Sequence, residues 1–114
     1  LHGGLLGGIL RKQAEGTASR GNAGRSADAL AANRPAIEAW EAFCADRGEG
    51  PGDVALAWLL HQSAVTAPIV GPRDLGQLDG ALRALDIRLD PDALARIDEI
   101  FPGPGGTAPE AYAW

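Results

Sequence analysis

The sequence predicts a mostly helical α/β protein, and three patterns support this fold class. Apolar residues recur at helical spacing in four segments after residue 34. Between the second and third segments, Thr66–Val70 is short, partly β-branched and followed by a Gly-Pro pair, which is typical of a brief buried strand. The second helical segment is apolar on nearly all sides, so another layer must cover it. This order is typical of a parallel α/β architecture, and an all-α fold with Thr66–Val70 as a linker is the alternative.

The first two predicted helices are bounded by clear start and stop signals. The first covers about Pro35–Arg47, because proline suits the first helical position and Asn33 is a candidate cap. Gly48 offers the left-handed residue that commonly follows a helix. The second helix begins at Pro51, after the Gly50 breaker. We expect a tight turn between the two helices.

Two further helices are predicted after the strand, each with an aspartate as its candidate N-cap. Asp74 precedes a stripe with spacings of three and four, and the pair Asp90-Pro91 precedes a second stripe. The two stripes consist of Leu75, Leu78, Leu82 and Leu85, and of Leu94, Ile97, Ile100 and Phe101. The tail, Pro102–Trp114, is rich in proline and glycine.

Composition excludes several classes of protein. With 46% hydrophobic and 22% charged residues the chain has an ordinary globular composition, but only 5% aromatic residues predict a thin core. The longest apolar run, Val54–Leu60, is far shorter than the roughly 20 residues of a membrane span. The single cysteine, Cys44, has no partner for an internal disulfide, and no signal peptide is recognisable. We therefore expect a cytoplasmic protein without a membrane partner.

Charge is unevenly distributed along the chain. Residues 11–34 carry five basic and two acidic residues, a net +3 that leaves −8 for the remainder of a chain whose total is −5. Scattered glycines and few large apolar residues predict a basic mobile loop here. A nucleic-acid tail is the alternative, which the lack of aromatic residues for base stacking and the acidic total disfavour. We expect no nucleic-acid partner.

Residues that commonly carry catalysis or bind metals are sparse and far apart. His2 and His61 are remote from each other, and Cys44 stands alone. Ser63 lies two residues from His61 but lacks the glycine-flanked turn of an activated nucleophile. We predict no metal site and no catalytic residue, with both histidines structural.

Two segments could bind an anion, one through backbone N–H groups and the other through a cationic side chain. Gly3–Gly8 is glycine-rich, but it matches neither G-x-G-x-x-G nor a Walker loop, so a flexible turn is the favoured interpretation on this pattern alone.

The second segment, Ile69–Gln77, joins a strand end, Gly71 and Arg73 to a helix N-terminus, where the helix dipole favours a phosphate. Gln77 lies one turn further on, on the same side. Pairing of Arg73 with Asp74 or Asp79 at the surface is the alternative.

The chain resembles the C-terminal part of a bacterial aldo-keto reductase over nearly its whole length. Leu1–Leu6 resembles the family's segment after barrel strand seven, and Asp53–Leu60 resembles its seventh helix region. Ala67–Arg73 is similar to strand eight and its exit, and Asp98–Gly103 is similar to the last helix and tail. The four motifs occur in the family's order.

This resemblance implies that the chain is the C-terminal portion of a (β/α)₈ TIM barrel. Residues 1–114 would then be one partial barrel with four parts: 1–10, the strand-seven exit and glycine-rich cofactor segment; 11–34, the basic mobile loop; 35–101, the helices and last strand; and 102–114, the C-terminal tail. A complete barrel has about 250 residues. Together with Leu1 at the first position in place of methionine, this predicts a fragment.

The resemblance also implies NADP(H) as cofactor, bound by backbone and side chains of this segment. The backbone of Leu1, Gly3 and Gly4 would lie along the pyrophosphate. At the exit of strand eight, Gly71 opens the backbone and Arg73 would meet the 2′-phosphate. Gln77 would approach the adenine. Family members often carry a polar residue where this chain has Ala81, so adenine would be held differently here.

Function follows from the resemblance as a set of expectations about the longer parent protein. The parent would reduce aldehydes or ketones, its small-molecule carbonyl substrates, by hydride transfer. The family's Asp, Tyr, Lys and His tetrad lies upstream and is absent here, and Tyr112 in the tail matches none of it. The alternatives are a non-catalytic NADP(H)-binding module or subunit of the same family, an incomplete chain without activity, and a helical protein without cofactor. The sequence leaves the oligomeric state and the substrate open.

Overall fold

The structure, a computed structural model, describes residues 4–16 and 25–103. Within these ranges the chain forms five helices and no strand. The helices are α1, Ile9–Ala14; α2, Arg25–Asp46; α3, Pro51–Leu60; α4, Leu75–Arg83; and α5, Pro91–Ile100. Among the described residues, none of the helices combines the length and the apolar character that a membrane crossing requires.

The start of α2 differs from the prediction. The helix begins at Arg25 and runs through Pro35, so the predicted start at Pro35 is wrong. Asn33 is not a cap, because its Nδ2 donates to the Ala29 carbonyl within the helix, at 2.8 Å. A proline inside a helix removes one backbone hydrogen bond and costs about 3 kcal/mol. Burial of Leu30 and of other apolar side chains on both sides of the proline offsets this cost.

The predicted loop over residues 11–34 is therefore wrong at both ends. Residues 11–14 belong to α1, and residues 25–34 belong to α2. The middle of the segment, residues 17–24, lies outside the described residues. Arg34 pairs with Glu38 one turn later at 3.0 Å, so part of the segment's positive charge is neutralised by an ion pair on the surface of α2.

The turn between α2 and α3 confirms the predicted stop signal. Gly48 has a φ of +67°, the left-handed conformation that glycine adopts without strain. Its N–H donates to the Ala45 carbonyl, and the N–H of Glu49 donates to the Cys44 carbonyl, at 2.9 and 3.0 Å. These two bonds satisfy carbonyl groups left free at the helix end. Helix α3 then begins at Pro51, as predicted.

Helices α4 and α5 also begin where predicted, each capped by an aspartate. Asp74 accepts the Gln77 N–H at 2.9 Å, and Asp90 accepts the Ala93 N–H at 2.8 Å. A side-chain cap of this kind stabilises a helix by about 1 kcal/mol.

The predicted strand is absent. Residues 66–70 have no regular secondary structure, and the side chain of Ile69 is fully exposed. A strand satisfies its backbone only by pairing with a neighbouring strand, and the described residues supply none. Over residues 4–16 and 25–103, only the helical part of the expected α/β class forms.

The core surrounds Trp40 of α2, whose side chain is 1% exposed. Its ring lies 6.1 Å from that of Phe43 and 5.9 Å from that of Phe101, between ring centroids. Buried residues of α3, α5 and the 84–89 connection complete this cluster. A second, smaller cluster of Leu5, Ile9, Leu30 and Ile37 joins α1 to α2. The two clusters hold the glycine-rich segment and the first turn of α3 against α2.

Candidate cofactor-binding site

The glycine-rich segment forms a tight turn, Gly4–Gly8, before α1. The Gly7 N–H donates to the Gly4 carbonyl at 3.1 Å, and Gly4 and Gly8 have φ angles of +95° and +79°. These angles lie in the left-handed region that favours glycine. Leu5, in the middle of the turn, is buried. Gly4 and Gly8 therefore allow the backbone to adopt the positive φ angles that this turn requires.

Side chains from outside the turn hold its carbonyl groups. Trp40 Nε1 donates to the Leu6 carbonyl at 3.3 Å, across 34 positions of sequence. Lys12 Nζ donates to the Gly7 carbonyl at 2.6 Å. Of the three glycine-rich segment residues predicted to bind cofactor, Leu1 and Gly3 lie outside the described residues. Gly4 is exposed, and a methyl group added to it would contact no atom within 4 Å.

The N-terminus of α1 is occupied by a carboxylate of the chain itself. Glu41 Oε1 accepts the Leu10 N–H at 2.8 Å, and Glu41 Oε2 accepts the Arg11 N–H at 3.0 Å. The free N–H groups and the dipole of a helix N-terminus attract anions, and Glu41 is the anion here. Sequence reasoning missed this residue, because Glu41 and α1 are about 30 positions apart and no local pattern links them.

The second segment predicted to bind the cofactor, Ile69–Gln77, leads into α4 and is exposed. The side chain of Arg73 lies in solvent directly before the cap Asp74, and a methyl group on Gly71 would meet no atom within 4 Å. The described ion pairs are Arg11–Glu15, Arg34–Glu38, Arg83–Glu49 and Arg96–Glu99. Among the described residues, then, no carboxylate pairs with Arg73, and the predicted alternative of a pair with Asp74 or Asp79 does not form.

Gln77 contacts the residues immediately before α4. Its Oε1 accepts the Arg73 N–H at 3.1 Å, and its Nε2 donates to Asp74 Oδ2 at 2.8 Å. Asp74 in turn accepts the Gln77 N–H, so the two residues cap the helix reciprocally, much as a capping box does. Gln77 therefore fixes the backbone of Arg73. Its predicted contact with adenine stays a prediction.

The first turn of α3 lies between the Gly4–Gly8 turn and α4. A methyl group added to Gly8 would come 3.6 Å from Pro51 Cγ, and one on Gly52 would come 4.0 Å from Gly7 Cα. On the other side, a methyl group on Gly80 of α4 would come 2.5 Å from Asp53 Oδ1. The glycine-rich turn and α4 thus both contact α3, and at Gly80 the absence of a side chain permits the close approach of α4.

Asp53 is the titratable group at this junction. Burial raises the pKa of its carboxyl, Arg83 lowers that pKa in part, and Glu49 raises it. Arg83 itself reaches from α4 to Glu49 and forms an ion pair with it. Asp53 was another residue that sequence reasoning missed, since only its fit against Gly50 and Gly80 shows its role.

His61 and Cys44 take structural positions. His61 Nδ1 lies 2.8 Å from the Ala57 carbonyl, and the Leu89 N–H donates to His61 Nε2 at 3.3 Å. His61 therefore links α3 to the 84–89 connection, which is a structural role as predicted. Cys44 is buried, and burial and Glu41 raise the pKa of its thiol to about 12, so it is not a nucleophile at neutral pH. Within residues 4–16 and 25–103 no three potential ligands are grouped closely enough to hold a metal ion.

An apolar cavity of about 270 Å³ opens beside the core. Trp40, Trp58 and Phe101 line it, together with Leu6 from the glycine-rich turn. Its walls carry almost no polar atoms that could orient a substrate.

The candidate site thus consists of a glycine-rich turn, an arginine before a capped helix that has no carboxylate partner among the described residues, and a shared support on α3. The sequence profile of the Aldo/keto reductase family matches residues 2–101. Over 114 residues the chain is 44% identical to the uncharacterized oxidoreductase YrpG of Bacillus subtilis, covering 100% of this chain and 34% of YrpG. Over 56 residues, 49% of this chain, it is 30% identical to the norsolorinic acid reductase stcV of Emericella nidulans, of which this covers 14%.

The chain belongs to the aldo/keto reductase family. It spans 34% of the length of YrpG. The family consists of oxidoreductases that generally use NAD(P)H and act on small carbonyl compounds. The predicted family is confirmed.

Proposed function

We propose that this chain is the C-terminal part of an NADP(H)-dependent aldo-keto reductase with a (β/α)₈ barrel. In this proposal it supplies cofactor-binding elements for the reduction of aldehydes or ketones, and the upstream part supplies the catalytic tetrad. When bound, the cofactor supplies the hydride. The observation that carries the proposal is Arg73, an exposed guanidinium without a carboxylate partner among the described residues, in a chain of this family.

The surroundings of Arg73 fit a phosphate group. Gln77 accepts the Arg73 N–H, which fixes the backbone from which the guanidinium extends. The start of α4 adds the positive end of a helix dipole, and Gly71 leaves open space beside it. A guanidinium can bind a phosphate through two parallel hydrogen bonds. In TIM barrels the loops after strands seven and eight commonly bind phosphate, which supports the same assignment.

Exposed apolar side chains support a larger barrel around this chain. Ile69 and Val70 are 102% and 44% exposed, and the leucine stripe of α4 is exposed as well. In a complete barrel, residues 66–70 would pair with neighbouring strands, and α4 would cover the sheet with its leucines. Burial of these side chains would give the longer protein stability that this chain lacks.

The test is substitution of Arg73 by alanine in the longer protein that carries this chain. We expect NADPH binding to weaken by more than about tenfold, because a charge-assisted phosphate contact contributes about 1.5–3 kcal/mol. NADH binding should change little, since NADH lacks the 2′-phosphate. Dissociation constants for both cofactors, from fluorescence titration, give the comparison.

The matched control is Arg96→Ala, which removes an exposed arginine that pairs with Glu99 on α5. It should leave both affinities unchanged. An unaltered preference for NADPH over NADH in the Arg73→Ala protein would show that Arg73 does not bind the 2′-phosphate.

A further inference from the structure

Two neighbouring residues of α2 hold the glycine-rich turn and the start of α1 from one side. Glu41 accepts the N–H groups of Leu10 and Arg11 with its two carboxylate oxygens, at 2.8 and 3.0 Å. Trp40 donates from Nε1 to the Leu6 carbonyl at 3.3 Å. The backbone is therefore tied to α2 both before and after Gly8.

The position of Gly8 explains why the cap comes from another helix. Gly8 is the N-cap residue of α1, has a φ of +79° and makes no side-chain cap bond. A side chain there would be strained by the positive φ, whereas a methyl group added to Gly8 would only touch Pro51 Cγ, at 3.6 Å. Helix N-termini are normally capped by a Ser, Thr, Asp or Asn side chain at this place. Glu41 supplies the missing oxygen atoms from α2.

We propose that Glu41 is a positioning residue for the dinucleotide cofactor. By capping α1 it fixes the path of the Gly4–Gly8 turn, and its carboxylate already occupies the α1 amides that would otherwise attract a phosphate. The cofactor's pyrophosphate would then lie along the turn itself. This inference rests on the proposed function, but its effect is distinct from that of Arg73, since the pyrophosphate is common to NADPH and NADH.

The experiment compares Glu41→Ala with the wild-type longer protein. We expect the dissociation constants of NADPH and NADH to rise by the same factor, roughly three- to tenfold, the size of a lost charged cap. The kcat at saturating cofactor should stay nearly constant, because Glu41 touches no reacting atom. Amide hydrogen exchange should accelerate at Leu10 and Arg11, whose N–H groups Glu41 accepts.

Two further variants serve as control and rescue. Glu38→Ala removes a carboxylate one turn earlier on α2, where Glu38 is exposed and pairs with Arg34, and should change none of these quantities. Glu41→Gln retains one good acceptor oxygen and should give an intermediate effect. If Glu41→Ala does not fold, Glu41→Gln is measured against Glu38→Ala by the same readouts.

Each outcome is decisive. Faster exchange at Leu10 and Arg11 with unchanged cofactor affinity would overturn the inference, since the cap would then be structural only. A loss confined to NADPH, or a fall in kcat without a change in affinity, would overturn it too. If the wild-type protein binds neither cofactor, the proposed function fails first, and this inference fails with it.

Discussion

The two predicted cofactor elements differ in how completely this chain supports them. The Gly4–Gly8 turn is held by Trp40 and Glu41 of α2, and Leu5 within it is buried. By contrast, residues 66–73 are largely exposed, and Arg73 is held through its backbone by Gln77. The Gly4–Gly8 turn is therefore supported by side chains of this chain, whereas residues 66–73 lead into an ordered helix start but are themselves left exposed.

The difference follows from which backbone groups can find partners locally. Within a helix the backbone N–H and C=O groups satisfy one another, so a turn that leads into a helix needs only a few side-chain contacts, which α2 provides. A strand depends entirely on its neighbours, and here those neighbours belong to the remaining part of the proposed barrel. A segment of the proposed barrel, taken without its neighbours, would therefore keep its helical supports and lose its strand pairing.

Removal of the Trp40 side chain should have the largest effect on the supported element. Trp40→Ala should lower the free energy of unfolding of the longer protein by about 3–5 kcal/mol, as expected for a buried tryptophan. Urea unfolding measures this loss. Trp40→Phe keeps most of the packing but removes the hydrogen bond to Leu6. Its free energy of unfolding should therefore fall by about 1 kcal/mol for that bond, with a small additional decrease from the lost packing. Equal decreases in the free energy of unfolding of both variants would contradict a role of Trp40 that depends on packing.

A leucine of the exposed element tests whether the proposed barrel covers it. Leu82 is 54% exposed in this chain. In the longer protein Leu82→Ala should lower the free energy of unfolding by about 2 kcal/mol or more, because the side chain would be buried against the sheet. Asp79→Ala on the same helix should change it by less than about 0.5 kcal/mol. A Leu82→Ala effect as small as that of the control would mean that α4 stays uncovered.

Asp53, at the junction of both elements, should produce the smallest effect, one that depends on pH. Its folded-state pKa is raised above the usual aspartate value of 3.8, chiefly by burial, so the folded state holds the proton more tightly than the unfolded state does. Stability contributed by Asp53 should therefore fall as the pH rises from near 3.8 through the raised pKa, and stay level above it.

The measurement is urea unfolding of wild type and Asp53→Asn over this pH range, because asparagine does not ionise. The wild-type stability minus that of Asp53→Asn should decrease with rising pH. A difference that stays flat or increases would contradict the raised pKa and the tight fit of Asp53 against Gly80.

Sequence patterns predicted those parts of the fold that depend on neighbouring residues. The caps Asp74 and Asp90, the proline start of α3 and the left-handed Gly48 were all read correctly, because each acts within four residues. The start of α2 was not, because packing of residues such as Leu30 carries the helix through Pro35. The local start signal at Pro35 was weaker than the tertiary contacts.

The candidate site divides in the same way. Gly4, Gly71, Arg73 and Gln77 came from local motifs and a family resemblance. Glu41 and Asp53 came only from the structure, since each contacts a backbone or helix about 30 positions away. No periodicity in the sequence marks a carboxylate that caps another helix.

By itself, the sequence determined the family, the starts of α3, α4 and α5, the stop signal after α2, and the position of Arg73 before a helix start. Tertiary structure decided how far α2 extends, which carboxylate fills the start of α1, and that residues 66–70 form no strand in this chain. The physical reason is range. Caps and helical periodicity act within one or two turns, whereas side-chain burial and strand pairing depend on groups brought together from distant positions.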